Sequence, residues 1–222
     1  MTSHIQLIIA CERSGIIREA FRAKGVNAWS SDISPAEDLS LYHFRGDAIA
    51  MMKRHPRAGK IIHPPCTRLA NSGALRLYNM GKKEYGIDPI KWEELLDAAE
   101  FFHRCFAAAG EAPFAVENPI QHHHAVELHG QGKADQIIRP WQFGDDASKA
   151  TCLWLRNGLP PLLPTKVYPP RIVNGHKRWS NQTDSGQNKL APSNHRAMDR
   201  ARTYPGIAKA MADQWTPYFI NL

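Results

Sequence analysis

The sequence predicts an α/β fold, a doubly wound and mostly parallel sheet with helices on both faces, and three observations carry that expectation. Short apolar runs alternate with segments of helical periodicity along most of the chain. Residues able to do chemistry stand just past the ends of those runs, where open α/β sheets bind ligands. The 222 residues, 43% of them hydrophobic, suffice for one full-sized core and leave little room for a second.

Ile5, Leu7, Ile8 and Ile9 make a first buried strand ending at Ala10. Residues 15–24 predict a helix with Ile16, Ile17, Ala20, Phe21 and Ala23 on its apolar face, stopped by Gly25. A second strand over 26–30 closes at Asp32, and a further strand-like stretch leads to Gly46 and Asp47, which open a short helix through 48–52. Ile61 and Ile62 centre the next strand, which runs into His63-Pro64-Pro65-Cys66. Trp92, Leu95, Leu96, Ala99, Phe102, Phe106 and Ala109 recur at helical spacing, so Cys105 among them reads as core. Residues 112–116 form a buried strand that delivers Glu117, Asn118 and Pro119. Strands over 136–138 and 151–155 follow, and Pro205, suited to a first turn, opens a last helix reaching Trp215. No internal repeat or biased tail interrupts the pattern, and 1–222 is expected to be one domain.

The formal net charge of +7 is concentrated rather than spread. Residues 156–198 hold seven of the basic side chains (Arg156, Lys166, Arg171, Lys177, Arg178, Lys189 and Arg196) against one acid, Asp184, so the rest of the chain is near neutral. Interleaved Tyr168, His176 and Trp179 point to nucleic acid, because cations contact phosphate while aromatic faces stack on bases. A merely solvated basic loop is the plainer alternative. The cysteines Cys11, Cys66, Cys105 and Cys152 form no Cys-x-x-Cys pair, which argues against a zinc ribbon or redox motif and for reduced thiols. The start of the chain lacks signal-peptide character and no apolar run has membrane-spanning length, so a soluble, cytoplasmic protein with no membrane partner is expected. His122, His123, His124 and His129 lack a cysteine or paired acid to complete a site, and in a strand or loop they would point apart; no metal is expected.

Cys66 is the candidate nucleophile. The two prolines hold its approach extended, and Arg68 two residues on favours the thiolate; a small buried filler is the alternative. Three other strand ends converge on a ligand. The turn Cys11-Glu12-Arg13-Ser14-Gly15 feeds a helix whose first amides suit an anionic or polar group. Asp32 is placed to bind ribose hydroxyls, and Asp47 to accept from an exocyclic amine such as that of adenine. The turn lacks G-x-G-x-x-G, so an adenosine-bearing ligand without pyrophosphate fits best.

Along nearly the whole chain, the order of these residues resembles the S-adenosylmethionine-dependent DNA cytosine carbon-5 methyltransferases. Residues 9–15 stand where that family has its Gly-rich cofactor turn, Asp32 at its ribose acid, Gly46-Asp47 at its adenine contact, Pro64-Pro65-Cys66 at its nucleophile motif and Glu117-Asn118 at its Glu-Asn pair. His63-Pro64-Pro65-Cys66-Thr67, Leu69-Ala70-Asn71-Ser72-Gly73, Pro140-Trp141-Gln142-Phe143-Gly144, Thr151-Cys152-Leu153-Trp154 and Tyr204-Pro205-Gly206-Ile207-Ala208 look like a compact branch common in bacteriophage genomes. The resemblance implies a Rossmann-like methyltransferase domain in which Cys66 adds to carbon 6 of a flipped cytosine and Glu117 stabilises the adduct. Asn118 then fixes the loop or simply turns the chain before Pro119, and Lys149 is the cation near the base, with Arg139 its competitor. The cofactor, S-adenosylmethionine, would be held by Cys11, Glu12, Ser14, Gly15, Asp32, Ile33, Asp47 and Pro65. Double-stranded DNA would be gripped by Arg68, Asn71 and Arg76 after the nucleophile, and by Lys177, Arg178 and Trp179 within 156–198, a short target-recognition segment.

Departures from the family pattern bear on the donor and the substrate. Glu12 and Ser14 replace two glycines of the cofactor turn, which narrows the pocket or lets Glu12 meet the positive amino-acid end of the cofactor, and Thr67 replaces a glutamine. A modified donor carrying another group, an RNA or nucleotide substrate, or a catalytically idle DNA binder are the competing readings. No oligomeric state is set by the sequence.

Overall fold

The computed structural model describes residues 4–190 and 202–222. Its centre is a seven-stranded sheet built from β1 (Leu7–Ala10), β2 (Ala28–Asp32), β3 (His43–Arg45), β4 (Gly59–Ile62), β5 (Phe114–Pro119), β6 (Gln136–Ile138) and β7 (Thr151–Arg156), in the order β3-β2-β1-β4-β5-β7-β6. The β2–β3, β1–β2, β1–β4 and β4–β5 pairs are parallel, whereas β7 runs antiparallel to both β5 and β6. This is the Rossmann order with one reversed strand slipped between the fifth and sixth, so the expected doubly wound, mostly parallel sheet is present. The order of winding, not the strand direction, reverses between β1 and β4, and ligand crevices form at such a switch point.

Alternation along each strand sorts the core into two faces. Ile8, Ala10, Ile62, Val116 and Trp154 pack under α2 (Ala48–Arg54), α3 (Pro89–Ala109) and α4 (His123–His129). Leu7, Ile9, Ile61 and Ala115 pack under α1 (Ile16–Arg22) and α5 (Pro205–Phe219), with Phe21 and Phe219 meeting edge to face at 5.6 Å. Cys105 is fully buried in the first of these layers. Fully burying one such side chain contributes roughly 1.5–3 kcal/mol, so these two layers dominate the stability.

Local chemistry sets the helix ends. Asp47 caps α2 by accepting from the Ile49 amide at 2.8 Å, and Asp88 caps α3 from Ile90 and Lys91 with Pro89 at the first turn. Two glycines permit close approaches that any side chain would block. A Cβ on Gly59 would lie 2.3 Å from the Phe219 ring, and one on Gly206 would lie 2.2 Å from the Phe143 carbonyl oxygen. The first lets α5 lie on the sheet; the second seats its start on the turn at 143–145, where Asp145 also accepts from the Gly206 amide at 3.0 Å.

Three expectations are revised. The four-histidine stretch is helical: His122 caps α4, accepting from Ala125 N at 3.2 Å, because its ring takes the role of an N-cap acceptor. The last strand pair is antiparallel, a direction that periodicity does not encode. The basic segment carries a two-stranded ribbon, β8 (Arg171–Val173) with β9 (His176–Arg178), set apart from the central sheet. Its later part, including Arg196 and Met198, lies outside the described residues. Among the described residues no helix is long and apolar enough to cross a membrane.

Candidate active site

Sheet register brings the chemistry into one row. Ala10 pairs with Ser31 and Ile62, and Ile62 pairs with Val116, so the next residues along the carboxyl edge are Asp32, Cys11, His63 and Glu117. The His63 amide donates to the Ala10 carbonyl at 2.9 Å and keeps that row in register one step past β4.

On the cofactor side of the row, the β1–α1 turn is closed by its own acid. Glu12 is 6% exposed; its Oε1 accepts from Ile17 N at 2.9 Å and its Oε2 from Arg18 N at 3.4 Å, while Ser14 Oγ donates to Oε1 at 3.3 Å. The helix amides expected to receive a ligand anion are thus occupied by Glu12, which also turns it away from a cofactor's amino group. The turn needs two left-handed residues, Cys11 at φ 59° and Gly15 at φ 74°, and at Gly15 a Cβ would also strike the Arg18 guanidinium. Burial, then the Coulomb effect of His63 and the two amide hydrogen bonds in the opposite sense, leave the Glu12 carboxyl above the ordinary range.

Asp32 and Asp47 converge on Cys11. Burial, then Asp32, then Asp47, push the Cys11 thiol up to about 12, which makes it a neutral wall of the crevice. Asp32 Oδ1 accepts from Ser34 N at 2.8 Å, an Asx turn that aims the carboxyl at the strand end. Ile33 beside it is 78% exposed, an uncovered apolar side chain next to a ribose-type acid.

Past the end of β4 stand Cys66, the candidate nucleophile, and the residues that hold its segment. Cys66 is half-buried four residues past β4, and its carbonyl accepts from Leu69 N at 3.0 Å and Ala70 N at 2.9 Å, so a tight turn starts on it. Asn118, 1% exposed, donates from Nδ2 to the Pro64 carbonyl at 2.8 Å and pins the Pro64-Pro65 approach; Pro65 itself is exposed. Glu117 Oε2 lies 3.1 Å from His63 Nδ1, with side chains 17% and 12% exposed. Burial raises the Glu117 carboxyl, but the His63 hydrogen bond and charge, Lys149 and a Thr151 hydrogen bond outweigh it and hold the group below the ordinary range. Lys149 acts on Glu117 by charge and lines a cleft with it. Arg139 acts instead on the Cys152 thiol, and its amide donates to Gln142 Oε1 at 2.6 Å. Glu117, Lys149 and Thr151 share a cleft with Arg202, Thr203 and Tyr204.

The expected nucleic-acid contacts divide into two groups. Arg68 forms a 2.5 Å ion pair with Glu94, and Arg68 and Arg76 line a small cleft with Lys91; Asn71 is exposed, its amide bonded to the Ile120 carbonyl at 2.8 Å. On the ribbon, Lys177 is exposed, while Arg178 donates to the Asp184 carbonyl at 3.1 Å. Trp179 is a correction. It is 8% exposed, stacked on Trp141 at 5.4 Å with an interplanar angle of 13°, and its ring N–H donates to the Tyr168 carbonyl at 3.3 Å. Both faces cannot serve a base, so it anchors the ribbon. Next to it, Ser180 N donates to Asp146 Oδ1 and Ser148 N to Asn181 Oδ1, each at 2.9 Å, which fastens the ribbon to the segment carrying Lys149.

His63 and Thr151 are the site residues that sequence reasoning missed. The sequence marks His63 as the residue after a strand, on the face of Ile61, but the register that sets it against Glu117 is tertiary information. No family model matches the chain, and no curated protein does. Among solved structures it is similar to a protein described as a candidate DNA modification methyltransferase encoded within a prophage of E. coli, at 14% identity and a TM-score of 0.41, over 67% of this chain. The chain covers 45% of that structure, less than half its length.

Proposed function

We propose that the chain is a DNA cytosine carbon-5 methyltransferase that uses S-adenosylmethionine and a covalent Cys66 adduct, one catalytic domain with the 156–198 segment as its target-recognition part. The observation that carries this reading is the carboxyl edge of the sheet, where the half-buried Cys66 follows β4 in a segment tied through Pro64 to Asn118, next to the His63-bonded carboxylate of Glu117 on β5, while two acids act on Cys11. Cytosine carbon 5 is a weak nucleophile, and thiol addition at carbon 6 turns it into an enamine. Glu117, hydrogen-bonded to the ring, would stabilise the charge that develops there, with Lys149 at its side.

The cofactor side fits a phosphate-free adenosine ligand. Glu12 fills the helix N-terminus where a pyrophosphate would dock, Asp32 meets the ribose position and the uncovered Ile33 suits a purine face. When bound, such a cofactor supplies an electrophilic methyl group. DNA would be held by Lys177 and its neighbours on the ribbon and by Arg76 and Asn71 opposite, with the target base rotated out of the duplex. So small a recognition part favours a short or relaxed target motif.

Incubation with labelled S-adenosylmethionine and DNA, beside Cys66→Ala and with 5-fluorocytosine DNA as a trap, tests the reading. Labelled DNA and a denaturation-resistant adduct are expected from the native chain and neither from the variant. Absence of both from the native chain would overturn it. A second reading, a donor bearing another group, is favoured by Glu12 and Ser14 in a glycine-type turn. Its signature is an adduct without methyl transfer.

A further inference from the structure

His63 interacts with two acids from different elements. Glu117 meets its Nδ1 at 3.1 Å from β5, and Glu12 in the β1–α1 turn lies within reach of its charge. A carboxylate only accepts, so Nδ1 carries the hydrogen. Nε2 is buried with no hydrogen-bond partner among the described residues, although buried ring nitrogens are ordinarily satisfied. Packing alone accounts for neither the aimed Nδ1 nor the orphaned Nε2.

We propose that His63 is the positioning residue of Glu117 and holds, on the Nδ1–Oε2 hydrogen bond, the proton that the target base takes up at N3 when the Cys66 thiolate adds. The inference rests on the methyltransferase reading above and assigns the proton source within it. In the addition step the sulfur forms a bond to C6 and the C5–C6 π pair moves to C4–C5. The C4–N3 π pair becomes the N3–H bond, with the proton passing from imidazolium Nδ1 to Glu117 and from Glu117 to N3. His63 is left neutral. Glu117 is held below the ordinary carboxylate range, so it arrives as an acceptor and needs a neighbour able to give it a proton. Glu12 interacts with the ring by charge, and Lys149 acts by charge on Glu117. Proton delivery and the cofactor turn are thereby joined through one ring.

The test compares the native chain with His63→Gln, which keeps an amide hydrogen for Glu117 but cannot give up a proton. Rates of adduct formation on 5-fluorocytosine DNA, and kcat and KM for methyl transfer, are measured across pH, with urea unfolding as a check on folding. His63→Gln is expected to keep KM for DNA, slow adduct formation about 100-fold and flatten the alkaline limb of the rate profile, the limb on which a proton donor is lost. In a double-mutant cycle, adding it to Glu117→Gln should cost little more than Glu117→Gln alone. Native adduct rate and profile in His63→Gln, a change confined to KM, or additive losses in the cycle would each overturn the inference alone. A native chain forming no adduct would overturn the methyltransferase reading itself.

Discussion

The carboxyl edge of the sheet and the β8–β9 ribbon both hold charged side chains, yet they use them in opposite ways. At the edge Glu12 is buried and Glu117 partly so, and they take their hydrogen bonds from amides, His63 and Thr151. On the ribbon Arg171 pairs with Asp184 at 2.6 Å, with side chains 39% and 75% exposed, where water screens the pair. The edge therefore couples each acid to its neighbours, and the ribbon offers charges that a polyanion can recruit at little cost. The buried and the exposed charges are separated along the chain, and the ribbon is tied to the segment carrying Lys149 at Asp146–Ser148.

The largest expected effect lies at the edge. Glu117→Gln should lower the rate of methyl transfer by about 10²–10⁴-fold with DNA affinity kept, a single-turnover measurement. An equal loss from Lys177→Ala would erase the contrast. Next is the seam between the regions. Gly206→Ala must push α5 off the Phe143 carbonyl and is expected to cost about 1–3 kcal/mol in urea unfolding. A neutral result would mean that the seam yields.

Acidity sharpens the same contrast. Glu117 sits below its ordinary value of 4.5 in the folded chain, so its contribution to stability is present above 4.5 and lost as the pH falls through the lower folded value. Glu12 is raised, so its contribution is present below 4.5 and lost as the pH rises through the higher one. Thermal melts should accordingly show Glu117→Gln flattening the acid side and Glu12→Gln gaining at neutral pH relative to the native chain. The smallest effects belong to the ribbon. Lys177→Ala should weaken binding evenly across DNA sequences and reduce the slope of log affinity against log salt by about 0.9, and Asp184→Asn should leave the melting temperature unchanged.

Strand ends were legible because apolar runs followed by Asp, Cys or Glu mark them whatever the tertiary structure. That placed Asp32, Cys66 and Glu117, and Asp145 with Gly206 explains why a Tyr-Pro-Gly stretch opens the last helix. What stayed hidden depends on register or on competition for a partner. Glu12 looked available to a ligand until its own helix amides claimed it, and Trp179 looked like a stacking platform until Trp141 covered it. His63 is the same lesson from the other direction, since period two gave its face but not its neighbour. Arg18, fully buried in α1, donates to Ser30 Oγ at 2.6 Å and pairs with Asp38, a polar tie inside a helix face that reads as apolar.

The wall of the cleft beside Glu117 comes from Thr203, Tyr204, Ile207 and Met211, at the start of α5 and just before it. A ribosome emits the seven sheet strands by residue 156, and domains gather from the N-terminal side as they emerge. The sheet and Cys66 can therefore be in place while the chain is still tethered, but the enclosure beside Glu117 waits for residues 203–211. A chain cut before residue 203 would keep Cys66 and Glu117 but lack that wall of the cleft.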